Sequence, residues 1–168
     1  LGLEYVDLYY LHRMPATLEQ LLTFMEVAKE LVAEGRVKYV GLSEAGPEWL
    51  RKAHAVHPVA CIQQEWSVAT RNLETSLVPV CRELGIGIVP YSPLARSILV
   101  LSPDAVTPEG FRGTNPRFQG ANLEANKNVA ARIRDLATRK GPSVTGAQLC
   151  LAWLYRQAAA LGVEMVPI

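Results

Sequence analysis

Short hydrophobic runs rich in branched and aromatic residues alternate along this chain with longer stretches whose apolar residues recur at helical spacing. Four of the runs end in polar residues: Tyr10-Leu11-His12, Gly41-Leu42-Ser43-Glu44, Ile62-Gln63-Gln64-Glu65 and Tyr91-Ser92-Pro93-Leu94. Pro or Gly follows the first, second and fourth, and a helical stretch comes after every one. Parallel strands of an α/β protein point the same way, so their carboxyl ends meet on one face, where ligands bind. The pattern therefore predicts that polar groups distant in sequence converge.

The first run, Tyr5–Leu11, has the composition of a strand. Thr17 with Gln20 three residues later forms a capping box for the helix that follows. Leu18, Leu21, Leu22, Met25, Ala28, Leu31 and Val32 make its apolar stripe, and Gly35 suits the left-handed turn at its end. The unit then repeats. Val37–Leu42 predicts a strand, and Pro47 a helix running to Val56 before Pro58. Val59–Gln64 predicts a third strand, Asn72 to Leu84 a helix stopped at Gly85, and Ile86–Tyr91 a fourth strand. Arg96–Ala121 is irregular, dense in Gly, Pro, Ser, Asn and Thr; a segment of this length is expected to be a functional lid or mobile. Helices are expected over Leu123–Arg139 and Thr145–Ala160, and a fifth strand over Val163–Ile168.

Recurring βα units lead to an open doubly wound sheet or to a closed barrel. The nearest approach to a dinucleotide fingerprint, Gly85-x-Gly87, precedes a strand and lacks its third glycine. A complete barrel takes roughly 200 to 250 residues. The 168 residues here are enough for one domain with a real core, and if they form a barrel, they form part of one.

Composition narrows the partners. The chain is 49% hydrophobic and 20% charged with net charge +1, and its basic residues are scattered. No field draws it to nucleic acid, and no apolar run is long enough for a membrane span. Cys61, Cys81 and Cys150 sit within apolar runs without a Cys-x-x-Cys pair, which suggests buried thiols in a reducing compartment, the cytoplasm. No metal-ligand spacing, nucleophile elbow or P-loop is present. His54 and His57 fall at a helix end and a loop, and Glu124, Asn126 and Lys127 read as a solvated helix face. Trp66 and Phe118 suit either a substrate pocket or packing.

The motifs themselves carry a resemblance. Asp7-Leu8-Tyr9-Tyr10-Leu11-His12-Arg13, the stretch Gly35–Ala45 with its Val40-Gly41-Leu42-Ser43-Glu44, and Arg51–Pro58 are matched in order. Ile62–Ser67, the stretch Cys81–Leu94 ending in Pro90-Tyr91-Ser92-Pro93-Leu94, Asn115–Phe118 and Leu149–Trp153 continue the match. At these motifs the chain resembles the aldo-keto reductases, most closely the plant-type auxin-induced and perakine-reductase-like branch. The resemblance implies an incomplete (β/α)8 TIM barrel, about strands 4 to 8. It implies an NADP(H)-dependent enzyme reducing a small-molecule aldehyde or ketone to an alcohol.

It also implies roles. His12 matches the histidine that donates to the carbonyl oxygen as charge develops. Ser43, Glu44 and Gln63 match contacts to the nicotinamide carboxamide, although relatives often carry Asn where Glu44 stands. Tyr91 matches the aromatic that stacks on the nicotinamide ring. Ser92, with backbone N–H groups from Leu94 to Arg96 and the Arg96 charge, matches the pyrophosphate contacts. Relatives read Gly-Arg-Gly where this chain has Ala95-Arg96-Ser97. The family's catalytic Asp, Tyr and Lys fall in the first three strands, so the 168-residue piece is expected to be inactive alone; as an incomplete barrel with unpaired edge strands and bare apolar faces it is expected to be poorly soluble or oligomeric. The alternatives are a non-catalytic nicotinamide-nucleotide-binding subunit and a truncated fragment of the same fold. Neither the substrate nor the oligomeric state is legible.

Overall fold

A computed structural model describes residues 2–100, 102 and 110–168, and at Phe111 the backbone only. Its elements are β1 (Val6–Leu11), α1 (Leu18–Ala33), β2 (Val37–Ser43), α2 (Pro47–Val56), β3 (Val59–Glu65), α3 (Leu73–Ser76), α4 (Val78–Leu84), β4 (Gly87–Tyr91), α5 (Gly120–Lys140) and α6 (Gly146–Leu161). They fall into two compact units. One holds the sheet and its helices, up to Glu65, then Asn72–Tyr91 and Ala158–Ile168; the other holds Trp66–Arg71 and the described part of Ser92–Gln157.

In the first unit the strands form a parallel sheet in the order β1-β2-β3-β4, each beside its predecessor. Helical crossovers of this kind are what parallel pairing requires. Local chemistry sets the helix ends. Thr17 and Gln20 form the reciprocal capping box on α1, Pro47 opens α2, and Gly35 and Gly85 take left-handed φ of +74° and +68° after α1 and α4.

The register fixes which residues share a face, because side chains alternate along a strand. Tyr9 stacks on Phe24 of α1, with ring centroids 5.8 Å apart, so its face is the helix-covered one. Tyr9 pairs with Val40, and Leu11, Leu42, Ile62 and Ile88 stand in successive register on that face. Val40, Leu42, Ile62 and Ile88 are buried, as are Leu21, Met25 and Ala28 of α1 and Leu50 and Ala53 of α2. The opposite face carries Tyr10, Gly41, Cys61 and Gly87 in one row. Leu8 and Tyr39, one row nearer the amino ends, remain 39% and 59% exposed.

Two elements depart from the sequence expectation, each at a proline. The helix from Asn72 to Leu84 is broken into α3 and α4 at Leu77. Pro79, in the first turn of α4, has no N–H to return to the preceding turn. The fifth strand over Val163–Ile168 is not formed as a strand. Met165 makes an isolated parallel bridge with Ile88, and the segment lies along β4 through Ile88 N–H to Glu164 O (2.9 Å), Val166 N–H to Ile88 O (3.1 Å) and Ile168 N–H to Pro90 O (2.9 Å). The ladder lacks the bond that Pro90 cannot donate.

In the second unit Ala95, Ile98, Leu99, Phe118, Ile133 and Cys150 make a buried cluster, against which Leu94, Leu123 and Leu149 pack. The irregular stretch 96–121 thus contributes core at both ends and holds two 3-10 turns, Gly110–Thr114 and Pro116–Phe118; residues 101 and 103–109 lie outside the described ones. Phe118 is packing, not pocket lining. α5 begins at Gly120, three residues before the expected Leu123, and Asn126 is no solvated residue: its Nδ2 donates to Arg117 O at 2.9 Å. Glu124 and Lys127 do form an exposed ion pair.

Candidate functional site

The carboxyl ends of the strands place polar residues on the face turned away from the helices. Ser43 is 3% exposed and pairs with Gln63 in register, one row above Gly41 and Cys61. Glu65 and Tyr91 pair one row higher on β3 and β4. His12 follows Leu11 directly, on the same face as Tyr10 by alternation, and is exposed. Ser43 and Gln63 are thus neighbours in register, and His12 and Tyr91 fall on the same face at the carboxyl ends of β1 and β4. A hydroxyl beside an amide offers both donors and acceptors, which suits a planar carboxamide; a carboxylate offers acceptors only.

Glu44 is differently employed. It sits at φ +60° just past β2, with its N–H on Gln63 O at 3.1 Å. Its carboxylate accepts from Gln64 Nε2 at 3.2 Å and from the Glu65 N–H at 3.4 Å, tying the tip of β2 to that of β3.

Ser92, Leu94 and Arg96 follow β4 and belong to the second unit. Ser92, Ala95, Arg96 and Ser97 all hold left-handed φ, from +50° to +71°. The Ala95 N–H donates to Ser92 O at 2.8 Å and closes a turn, so it is not available to a ligand as expected. Leu94 packs its side chain against the buried cluster. For an L-residue the left-handed region is unfavourable by roughly 1–2 kcal/mol, and glycine is the usual occupant.

Three residues beneath the polar row escaped the sequence reading. The Tyr10 hydroxyl lies 3.0 Å from Cys61 Sγ, reaching from β1 to β3 across Gly41. A Cβ at Gly41 would meet Tyr10 Cε1 at 2.5 Å and Cδ1 at 2.7 Å, so only glycine admits the ring. Burial pushes the Tyr10 hydroxyl well above the ordinary phenol range, and the hydrogen bond to Cys61 adds to the rise while Gln63 opposes part of it. Burial likewise raises the Cys61 thiol, and the Tyr10 hydroxyl opposes that rise. Either group can be the donor of this bond. Stepping back two positions from His12, Ser43 and Gln63 reaches Tyr10, Gly41 and Cys61, which is the signal that would have found them. Elsewhere in this unit His54 accepts the Val59 N–H on Nδ1 at 3.2 Å, a structural use of that ring.

A parallel arc of strands, helices over one face and polar tips on the other define a partial (β/α)8 barrel. The sequence profile of the Aldo/keto reductase family matches residues 1–166. A curated relative from Glycine max, "Probable aldo-keto reductase 1", is 48% identical over all of this chain and 47% of its own length. Among solved structures, a glycerol dehydrogenase from Gluconobacter oxydans matches 98% of this chain and 50% of its own with a TM-score of 0.83 at 21% identity. An aldo/keto reductase from Klebsiella pneumoniae, solved with NADP and acetate, matches 98% of this chain and 48% of its own with a TM-score of 0.66 at 24% identity. The chain belongs to the aldo/keto reductase family. It spans about half the length of these relatives.

Proposed function

We propose that this chain supplies the nicotinamide wall and the carbonyl-polarising histidine of an NADP(H)-dependent reductase of aldehydes or ketones. The observation that carries the reading is the in-register pair Ser43 and Gln63 at the carboxyl ends of adjacent parallel strands, on the face opposite the helices. NADPH, when bound, supplies a hydride to the carbonyl carbon.

The chain's own residues prepare that step. Ser43 and Gln63 bind the carboxamide and so select which ring face is presented. Tyr91 offers a flat, rigid surface for stacking. His12 directs an imidazole N–H at the carbonyl oxygen, where negative charge develops in the transition state. Ser92, the Leu94 N–H and the Arg96 guanidinium serve the pyrophosphate. Glu44 acts as a tie between strand tips, since its carboxylate is engaged by Gln64 and Glu65. By the resemblance, the proton-donating Tyr with its Asp and Lys belongs to the half of the relatives that this chain does not match.

Complementation tests this directly. The chain is combined with the half of the Glycine max relative that it does not cover, and NADPH oxidation is followed with an aldehyde. Turnover is expected, and His12→Ala should lower kcat by about 10² to 10³; an unchanged kcat removes His12 from its role. A second reading, nucleotide binding without turnover, is favoured by Ala95 and Ser97, whose left-handed conformations hold β-carbons where the related motif has glycines. Binding with no aldehyde-dependent oxidation would establish it instead.

A further inference from the structure

We infer that Glu44 biases the proposed nicotinamide site toward the oxidised cofactor: its carboxylate, fixed at the tips of β2 and β3 with no cation paired to it, favours the positively charged ring. The inference rests on the proposed cofactor roles of Ser43 and Gln63 and adds a charge beside them. Glu44 follows Ser43 directly and is exposed. Its own N–H donates to Gln63 O at 3.1 Å, and its carboxylate accepts from Gln64 Nε2 at 3.2 Å and from the Glu65 N–H at 3.4 Å. All three contacts are with neutral groups, and among the described residues Glu44 enters no ion pair. An uncompensated negative charge is therefore held at the strand tips, on a backbone that also carries Gln63.

Oxidised and reduced cofactor share their phosphates and their carboxamide. They differ at the ring, which is cationic when oxidised and neutral when reduced. Ser43 and Gln63 carry no charge and do not tell the two apart; Glu44 does. Successive Cα atoms are about 3.8 Å apart, so the carboxylate stays within roughly 10 Å of a ring whose carboxamide Ser43 holds. At that distance a unit charge changes the binding of a cation by about twofold through water and by about fourfold at half the permittivity of water. The same charge assists reduction, because hydride loss to the carbonyl carbon, with a proton taken up by the carbonyl oxygen, leaves the ring cationic.

The test compares the 168-residue chain with Glu44→Gln and with Glu44→Asn, a second neutral variant that tolerates the left-handed φ of +60° at this position. NADP+ and NADPH are titrated separately into each, followed at the Ser43 and Gln63 amides. The readout is the preference for NADP+ over NADPH, the ratio of the two dissociation constants. At about 10 mM salt, where screening is weak, that preference should fall about two- to fourfold in both variants. At about 1 M salt the difference from wild type should vanish. Loss of the tie between strand tips weakens both forms alike and leaves the ratio where it was. An equal ratio in wild type and variants at low salt, or a difference that survives high salt, would overturn the role of the Glu44 charge and leave the cofactor reading in place. A wild-type chain whose Ser43 and Gln63 amides respond to neither form would overturn the cofactor reading, and this inference with it.

Discussion

Gly41→Ala should destabilise the chain severely for a one-carbon change on a strand, and the damage should vanish when Tyr10 is shortened. The three nearest atoms to the new Cβ would be Cε1 at 2.5 Å, Cδ1 at 2.7 Å and Cζ at 3.0 Å, all of the Tyr10 ring. Carbon atoms in contact prefer about 3.5–4.0 Å, so the ring must retreat by about 1 Å. Its hydroxyl is 3.0 Å from Cys61 Sγ, and such a retreat breaks that bond. Overpacking is unfavourable by about 1–3 kcal/mol, and the lost hydrogen bond by about 1 kcal/mol; together they come to ~2–4 kcal/mol. In a Tyr10→Ala background those atoms are gone, and Ala replaces Gly within a strand with a gain of about 0.5–1 kcal/mol. The sign therefore reverses. Urea unfolding of wild type, both single variants and the double variant, read as midpoint shifts at constant m, closes the cycle. Equal effects of Gly41→Ala in both backgrounds would refute the crossing of the ring over Gly41.

Replacing Ser97, at φ +71°, with Gly should raise stability by about 1 kcal/mol by removing left-handed strain, and Ala95→Gly should act similarly less what its buried methyl contributes; a lower urea midpoint for Ser97→Gly would contradict this. Stability should also fall on the alkaline side. Burial raises the Cys81 thiol from 9.0 to about 12, so the folded chain keeps a proton that the unfolded chain gives up. Below pH 9 the benefit is complete; between pH 9 and about 12 it declines, by at most about 1.4 kcal/mol per pH unit for this group. The raised Tyr10 hydroxyl adds a second decline above pH 10. Urea midpoints from pH 8 to pH 11 measure the slope, Cys81→Ala should flatten it, and a wild-type midpoint constant over that range would exclude the mechanism.

Much of the sheet was legible because two periods dominate the chain. Leu21, Met25 and Ala28 lie on the stripe read for the first helix, and Thr17, Pro47, Gly35 and Gly85 end their helices by the local chemistry that identifies them. The polar tips were legible for the same reason: Ser43 and Gln63 close runs whose direction is set by the βα order. What failed has physical causes of another kind. Pro79 and Pro90 remove single N–H donors, and the effect depends on which bond is missing, not on how apolar the neighbourhood is. Ile98, Leu99 and Phe118 are core residues in a segment without period, so no spacing announces them. Tyr10 and Cys61 are 51 positions apart and meet through the inter-strand register, including an irregularity between Val40 and Gly41 in the β2–β3 pairing. Register of that sort is a property of the assembled sheet.

The most direct measurement is the map of backbone amide shifts produced by NADPH in the wild-type chain. The largest changes should cluster at Ser43, Gln63 and Tyr91, at the carboxyl ends of β2, β3 and β4. Changes concentrated instead at the amino ends, around Val37, Val59 and Gly87, would contradict the placement of the nicotinamide on the strand tips.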